Sequence, residues 1–221
     1  MSSCSHWHRE IGKTSSLQYH ADANTFKLIR FGDTWEEQEL VGKFPMPHSS
    51  MIHMFSITEH FAVIALYPVG LDLLDMLTSN MHPFSAIKKF DKPTRFYLIN
   101  LESGRVLSGF KTFDPRVVFA SHHVNAWEEE GEVVVDMACN PWDSMETYFN
   151  METMTGQEAT GREAAEGVVR RVRLGLRDRA VTVEEWPNAR DIPMLNTIDF
   201  PVINYDYRGR KNRSVSAFFA F

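Results

Sequence analysis

The sequence predicts an all-β protein, a sandwich, barrel or propeller, and three observations carry that reading. Turn signals recur at short intervals, among them "ADANT", "FGDT", "MPHSS", "YPVG", "ESG", "FDPR", "EEEGE" and "NPWD". Between them lie short runs rich in β-branched and aromatic residues. Only two stretches of any length lack that pattern. In chain order the predicted strands are "TFKLIRF", "FAVIALYPV", "TRFYLINL", "RVLSGFKT", "EVVVDMA", "VVRRVRLGL" and "AVTVEEW". In the sixth run Val168, Val172, Leu174 and Leu176 share one face, interrupted by Arg170, as a half-buried antiparallel strand requires. The exceptions are residues 70–89, read as a short helix or apolar loop, and residues 144–167, read as an irregular insertion. No fixed-length repeat is visible.

Composition narrows the function classes. The 221 residues are 43% hydrophobic and 12% aromatic, which suits a globular chain with a sizeable core. A net charge of −6 without a basic stripe argues against nucleic-acid binding. Two cysteines, Cys4 and Cys139, are too few for a disulfide scaffold and favour a reducing compartment. No segment has the apolar core of a secretory signal or the roughly 20 apolar residues of a membrane span, so a soluble or peripheral protein is expected. The apolar ending "SVSAFFAF" reads as buried strand, and with the abrupt start it suggests a piece of a larger protein.

Nine histidines are present, and context separates them. His53 has apolar neighbours along "SSMIHMFSITEH" and, read as a strand, points with Phe55 and Ile57. Its partly desolvated ring needs a partner, either a metal or a backbone carbonyl. His122 and His123 are consecutive, so strand alternation lets only one face a given axis. By simple alternation His122 goes with Val124 and Ala126, and His123 with Asn125 and Trp127. Glu128 and Glu129 fall at the strand turn and are expected to face solvent. The histidine separations are too long for a local zinc motif and suit ligands from successive inner strands of a propeller. All-imidazole ligation suits zinc, copper or iron.

Three segments resemble the carotenoid cleavage oxygenase family, in its order. "MIHMFSITEHFAVIALYPV" is similar to its pattern of His, any residue, Phe, a small residue, Ile or Leu, and Thr before an apolar strand. "SHHVNAWEEEGEVVVDM" resembles its segment of His, two residues, Asn-Ala-aromatic-Glu, then an apolar strand ending in Asp. "IDFPVINYDYRGRKNRSVSAFFAF" is similar to a later strand of the family. The animal branch, with its carotene oxygenases and retinoid isomerohydrolase, is the nearest in flavour.

The resemblance implies an Fe(II) held by four histidines on the axis of a seven-bladed β-propeller. Residues 1–221 would then form a single, incomplete propeller of several blades, the central portion of the domain, with a short helical or irregular insertion. His53 matches the second ligand and His122, three before the Asn, the third. His6 in "SCSHWHREIG" takes the first place, although Ser5 and Trp7 stand where the family has Ala and Pro. No histidine follows His123, so the fourth ligand is not in this chain. The implied chemistry is O₂-dependent cleavage of a conjugated double bond in a lipophilic polyene, a carotenoid or apocarotenoid. Two alternatives stand beside it: retinyl-ester isomerohydrolysis on the same fold, and a truncated, non-catalytic product. The resemblance also implies a cytoplasmic protein with peripheral membrane contact through residues 70–84, against a plain helix packed on the propeller.

Overall fold

The computed structural model describes residues 5–8, 13–20, 24–34, 36–78, 86–143, 145, 168–186, 198–211 and 216–219; of residues 5–8, 13–20, 73, 76, 198–200, 205 and 216–219 it describes the backbone alone. Its strands form three four-stranded antiparallel sheets in succession along the chain. The first sheet contains β1 (Ser5–His8), β2 (Lys13–His20), β3 (Thr25–Phe31) and β4 (Gln38–Pro45), paired in sequence order. The second contains β5 (Ser56–Ile57), β6 (Phe61–Leu66), β9 (Thr94–Asn100) and β10 (Val106–Thr112). A small excursion between β6 and β9 holds β7 (Val69–Leu71), helix α1 (Leu73–Thr78) and β8 (Ile87–Lys89), with β7 paired to β8. The third sheet contains β11 (Phe119–Glu129), β12 (Glu132–Asn140), β13 (Val168–Gly175) and β14 (Val181–Glu185). β15 (Ile198–Val202) pairs with β16 (Ser216–Phe219) beyond it.

The sheets stack face to face, and β6 shows why its sequence is apolar throughout. Ala62, Ile64 and Leu66 pack with Phe26, Leu28 and Phe44 of the first sheet. Val63 and Ala65 pack instead with Val133, Val135 and Val172 of the third. A strand covered on both faces has no solvent side on which to alternate. The first strands neighbour one another in order, β1 beside β5, β5 beside β11 and β11 beside β15. Last strands do the same, with β10 touching both β4 and β14. The sheets therefore radiate from a line of first strands to a rim of last strands, which is the arrangement of propeller blades.

All seven runs predicted as strands contain one, and residues 70–89 contain a short helix. Asp72 caps that helix, its Oδ1 accepting from Leu74 N at 3.0 Å and Asp75 N at 3.2 Å. Of residues 144–167 only Met145 lies within the described set. Cys139 is a buried free thiol whose pKa burial pushes up to about 12, which leaves it inert rather than nucleophilic.

Candidate metal centre

His53 and His122 come together. Their ring centroids are 5.2 Å apart and the planes cross at 83°. They reach this meeting point from separate segments of the chain. His53 lies three residues before β5, in a stretch, residues 51–55, without regular secondary structure. His122 sits within β11. The expected alternation along the His53 segment does not hold for that reason: Phe55 and Ile57 enter the core with the first sheet, whereas His53 is exposed.

The faces predicted for the paired histidines also need correction. β11 pairs with β12 as Ala120↔Cys139, His122↔Ala138, His123↔Met137 and Asn125↔Asp136, so Ser121 and Val124 are extra residues, each forming a bulge. Ala138 and Asp136 share one face of β12, and their partners His122 and Asn125 therefore share one face of β11. His123 goes with Ala126 on the other face, toward the second sheet, through the partners Met137 and Val135.

His123 is 3% exposed and fully engaged. Its Nδ1 is 2.8 Å from Ser56 Oγ and its Nε2 is 3.1 Å from Tyr67 Oη. Complete burial holds the Tyr67 phenol well above its usual pKa, so its hydroxyl keeps its proton. On the other face Asn125 clamps the segment after β15. Its Nδ2 donates to Tyr207 O at 3.1 Å and Arg210 O at 2.8 Å, and its Oδ1 accepts from Gly209 N at 3.1 Å. Gly209 has φ +77°, a conformation that suits glycine and aims that N–H at the amide. Asp136, 1% exposed, binds Arg171 through both oxygens at 2.8 and 2.9 Å and accepts from Trp186 Nε1 at 2.8 Å. Arg171 also lies over the Trp127 ring, 4.9 Å from its centroid.

Glu128 and Glu129 are not simply solvent-facing. Glu128 accepts from Thr58 Oγ1 at 2.6 Å, His60 N at 2.8 Å and His60 Nδ1 at 2.9 Å, joining the third sheet to the second. Glu129 accepts from Trp127 Nε1 at 2.7 Å and Lys211 Nζ at 2.8 Å. Lys211 first, then Trp127, lowers its pKa. The Asn-Ala-Trp-Glu stretch thus carries inter-sheet hydrogen bonds. Sequence reasoning missed them because the partners lie 68 to 85 positions away.

His6 lies on β1, paired with Ser15, on the first strand of the sheet next to β5. Its side chain is outside the described set. Among the described residues no group of three or more His, Cys, Asp or Glu side chains is placed to hold a metal ion. What the described residues offer a metal is two imidazoles, one from the segment before β5 and one from β11, close and steeply crossed. That donor chemistry fits iron or another borderline divalent ion.

A chain of stacked four-stranded antiparallel sheets with first strands in line defines a propeller. Solved structures agree. The cobalt-substituted apocarotenoid oxygenase of Synechocystis superposes with a TM-score of 0.69 at 20% identity, covering 92% of this chain and 39% of that one. A chimera of that oxygenase with RPE65 gives 0.67 at 20% identity, again over 92% and 39%. The fold is part of a seven-bladed β-propeller. A profile described as "RPE65: Retinal pigment epithelial membrane protein" matches residues 2–218, and the chain belongs to that family, the carotenoid oxygenases. Among its relatives, the β,β-carotene 15,15′-dioxygenase of Gallus gallus is 26% identical over 233 residues, 93% of this chain and 44% of the relative. The carotenoid isomerooxygenase of Drosophila melanogaster is 30% identical over 110 residues, 47% of this chain and 17% of the relative. The chain thus spans less than half the length of these relatives.

Proposed function

We propose that this chain is the central portion of a carotenoid or apocarotenoid dioxygenase and supplies His53, His122 and His6 as three of four ligands to an Fe(II). The observation that carries the reading is the 5.2 Å, 83° approach of His53, before β5, and His122, on β11. His6 joins them because β1 lies beside β5 as β5 lies beside β11. When bound, the iron supplies the redox chemistry by which O₂ cleaves a conjugated double bond into two carbonyl products. The chain's own part is positional. The imidazoles would donate to the ion, and the packed second and third sheets hold the two segments that carry them. Retinyl-ester isomerohydrolysis on the same fold is the second reading, since the ligand set by itself serves either chemistry.

The test uses the complete protein. Iron content is measured with the products formed from a carotenoid, an apocarotenoid and a retinyl ester. Two carbonyl fragments support the dioxygenase, a rearranged retinol supports the alternative, and loss of both iron and activity in His53→Ala and His122→Ala is expected. Undiminished iron in both variants overturns the ligand assignment.

The reading extends to a cytoplasmic protein that meets a membrane through residues 70–84. Leu74 and Leu77 on α1 are 73% and 69% exposed, apolar side chains suited to a lipid surface that delivers a lipophilic substrate. No helix among the described residues is long and apolar enough to cross a membrane. Flotation with liposomes should fall when Leu74 and Leu77 are both changed to Ser; unchanged flotation removes this part of the reading.

A further inference from the structure

His123 ties together the two segments that carry His53 and His122. It follows His122 by one position, while Met54 and Ser56 follow His53 by one and three. Its Nδ1 is 2.8 Å from Ser56 Oγ, and its backbone N–H donates to Met54 Sδ at 3.3 Å. Its Nε2 is 3.1 Å from Tyr67 Oη, just past the end of β6. These contacts cross the boundary between the second and third sheets where the exposed His53 ring meets the half-buried His122 ring.

The surrounding backbone leaves this task to side chains. Residues 51–55 have no regular strand structure, so no ladder sets the height of His53. The bulges at Ser121 and Val124 bracket His122 and His123, so the ladder of β11 is interrupted there as well. Ser56 and Tyr67 are 4% and 0% exposed, and removing the imidazole would take a hydrogen-bond partner from two buried hydroxyls. Either neutral tautomer of His123 satisfies both. When Tyr67 donates to Met137 Sδ, 3.7 Å away, Nε2–H donates to Tyr67 and Nδ1 accepts from Ser56. When Tyr67 donates to Nε2, Nδ1–H donates to Ser56.

We propose that His123 is a positioning residue that sets the separation and tilt of His53 and His122, acting through Ser56 and Met54. The proposal rests on the reading of His53 and His122 as metal ligands. It assigns His123 no contact with metal or substrate.

The experiment loads the complete protein with Co(II), whose ligand-field absorption reports the arrangement of its donors. Four variants are compared with the parent at saturating Co(II): Ser56→Ala, Ser56→Thr, His53→Ala and His122→Ala. His123→Phe is a fifth, informative where it folds. Ser56→Ala is expected to weaken Co(II) binding about tenfold and to shift the absorption bands of the saturated protein, with Ser56→Thr restoring both. A purely structural bond would lower the unfolding temperature of the metal-free protein without moving those bands. Unchanged affinity and bands in Ser56→Ala, with Co(II) lost in His53→Ala and His122→Ala, overturns the positioning role and leaves the ligands standing. Retention of Co(II) in His53→Ala and His122→Ala overturns the ligand reading, and the role of His123 with it.

Discussion

Where the first sheet meets the second, Phe44 stacks on Phe26 at 5.5 Å and on Tyr97 at 4.8 Å, inside a cluster completed by aliphatic side chains. Where the second meets the third, a comparable apolar cluster shares the boundary with polar contacts: Ser56 to His123 to Tyr67 within it, and Thr58 and His60 to Glu128 at its edge. At the margin of the first boundary Arg30 donates to the carbonyl of Leu101. Apolar contact is non-directional and sets only how closely two sheets approach. Hydrogen bonds with fixed partners also set their register. The directional boundary is the one across which the two imidazoles meet. Specificity of packing is concentrated where two sheets must present a pair of rings in one geometry.

Three perturbations bear on this contrast. Phe44→Ala should be the most damaging, costing about 3–5 kcal/mol in denaturant unfolding, because a 1%-exposed aromatic leaves a cavity. A loss below about 1 kcal/mol would show that the first boundary is slack. Glu128→Ala should cost about 1–3 kcal/mol, since Thr58 and His60 lose their acceptor; Glu128→Gln, which keeps one oxygen, should cost less. If Ala and Gln are equally benign, the polar edge is incidental to the boundary.

The smallest effect is one of pH. Glu129 has its pKa lowered by Lys211 and Trp127, so its contribution is fully present above the unfolded carboxylate value and is lost as pH falls through the lower folded value. Lys211 is 61% exposed, so solvent screening keeps the effect below about 1 kcal/mol. Comparing the acid dependence of stability in Glu129→Gln with that of the parent isolates it. An identical acid limb in the two proteins would remove Glu129 from the account.

Much of the fold is legible in sequence because its signals are local. "TFKLIRF" and "TRFYLINL" hold β3 and β9, and the turns "ESG" and "EEEGE" separate strands that pair directly. His122 and His53 are singled out by sequence, and the fold brings their rings together. Other features depend on pairing across distance. Alternation places His122 with Ala126, yet the bulge at Val124 places it with Asn125. His53 reads as strand, yet β5 begins at Ser56. Glu128 reads as a turn residue because its acceptors' partners, Thr58 and His60, belong to another sheet.

The bulge at Val124 gives a meaning to an odd number. In a regular strand two positions three apart point in opposite directions, so a histidine and an asparagine separated by two residues should not look the same way. Here they do, because one of the intervening residues is skipped in the pairing. The interval between His122 and Asn125 therefore encodes length rather than composition. Replacing Val124 with another side chain preserves the phase of the strand. Deleting it would leave His122 and Asn125 two positions apart in a regular ladder, still on one face, with His123 still on the other. What the extra residue supplies is therefore a bend and added twist in β11 between His123 and Asn125, not a choice between the two imidazoles.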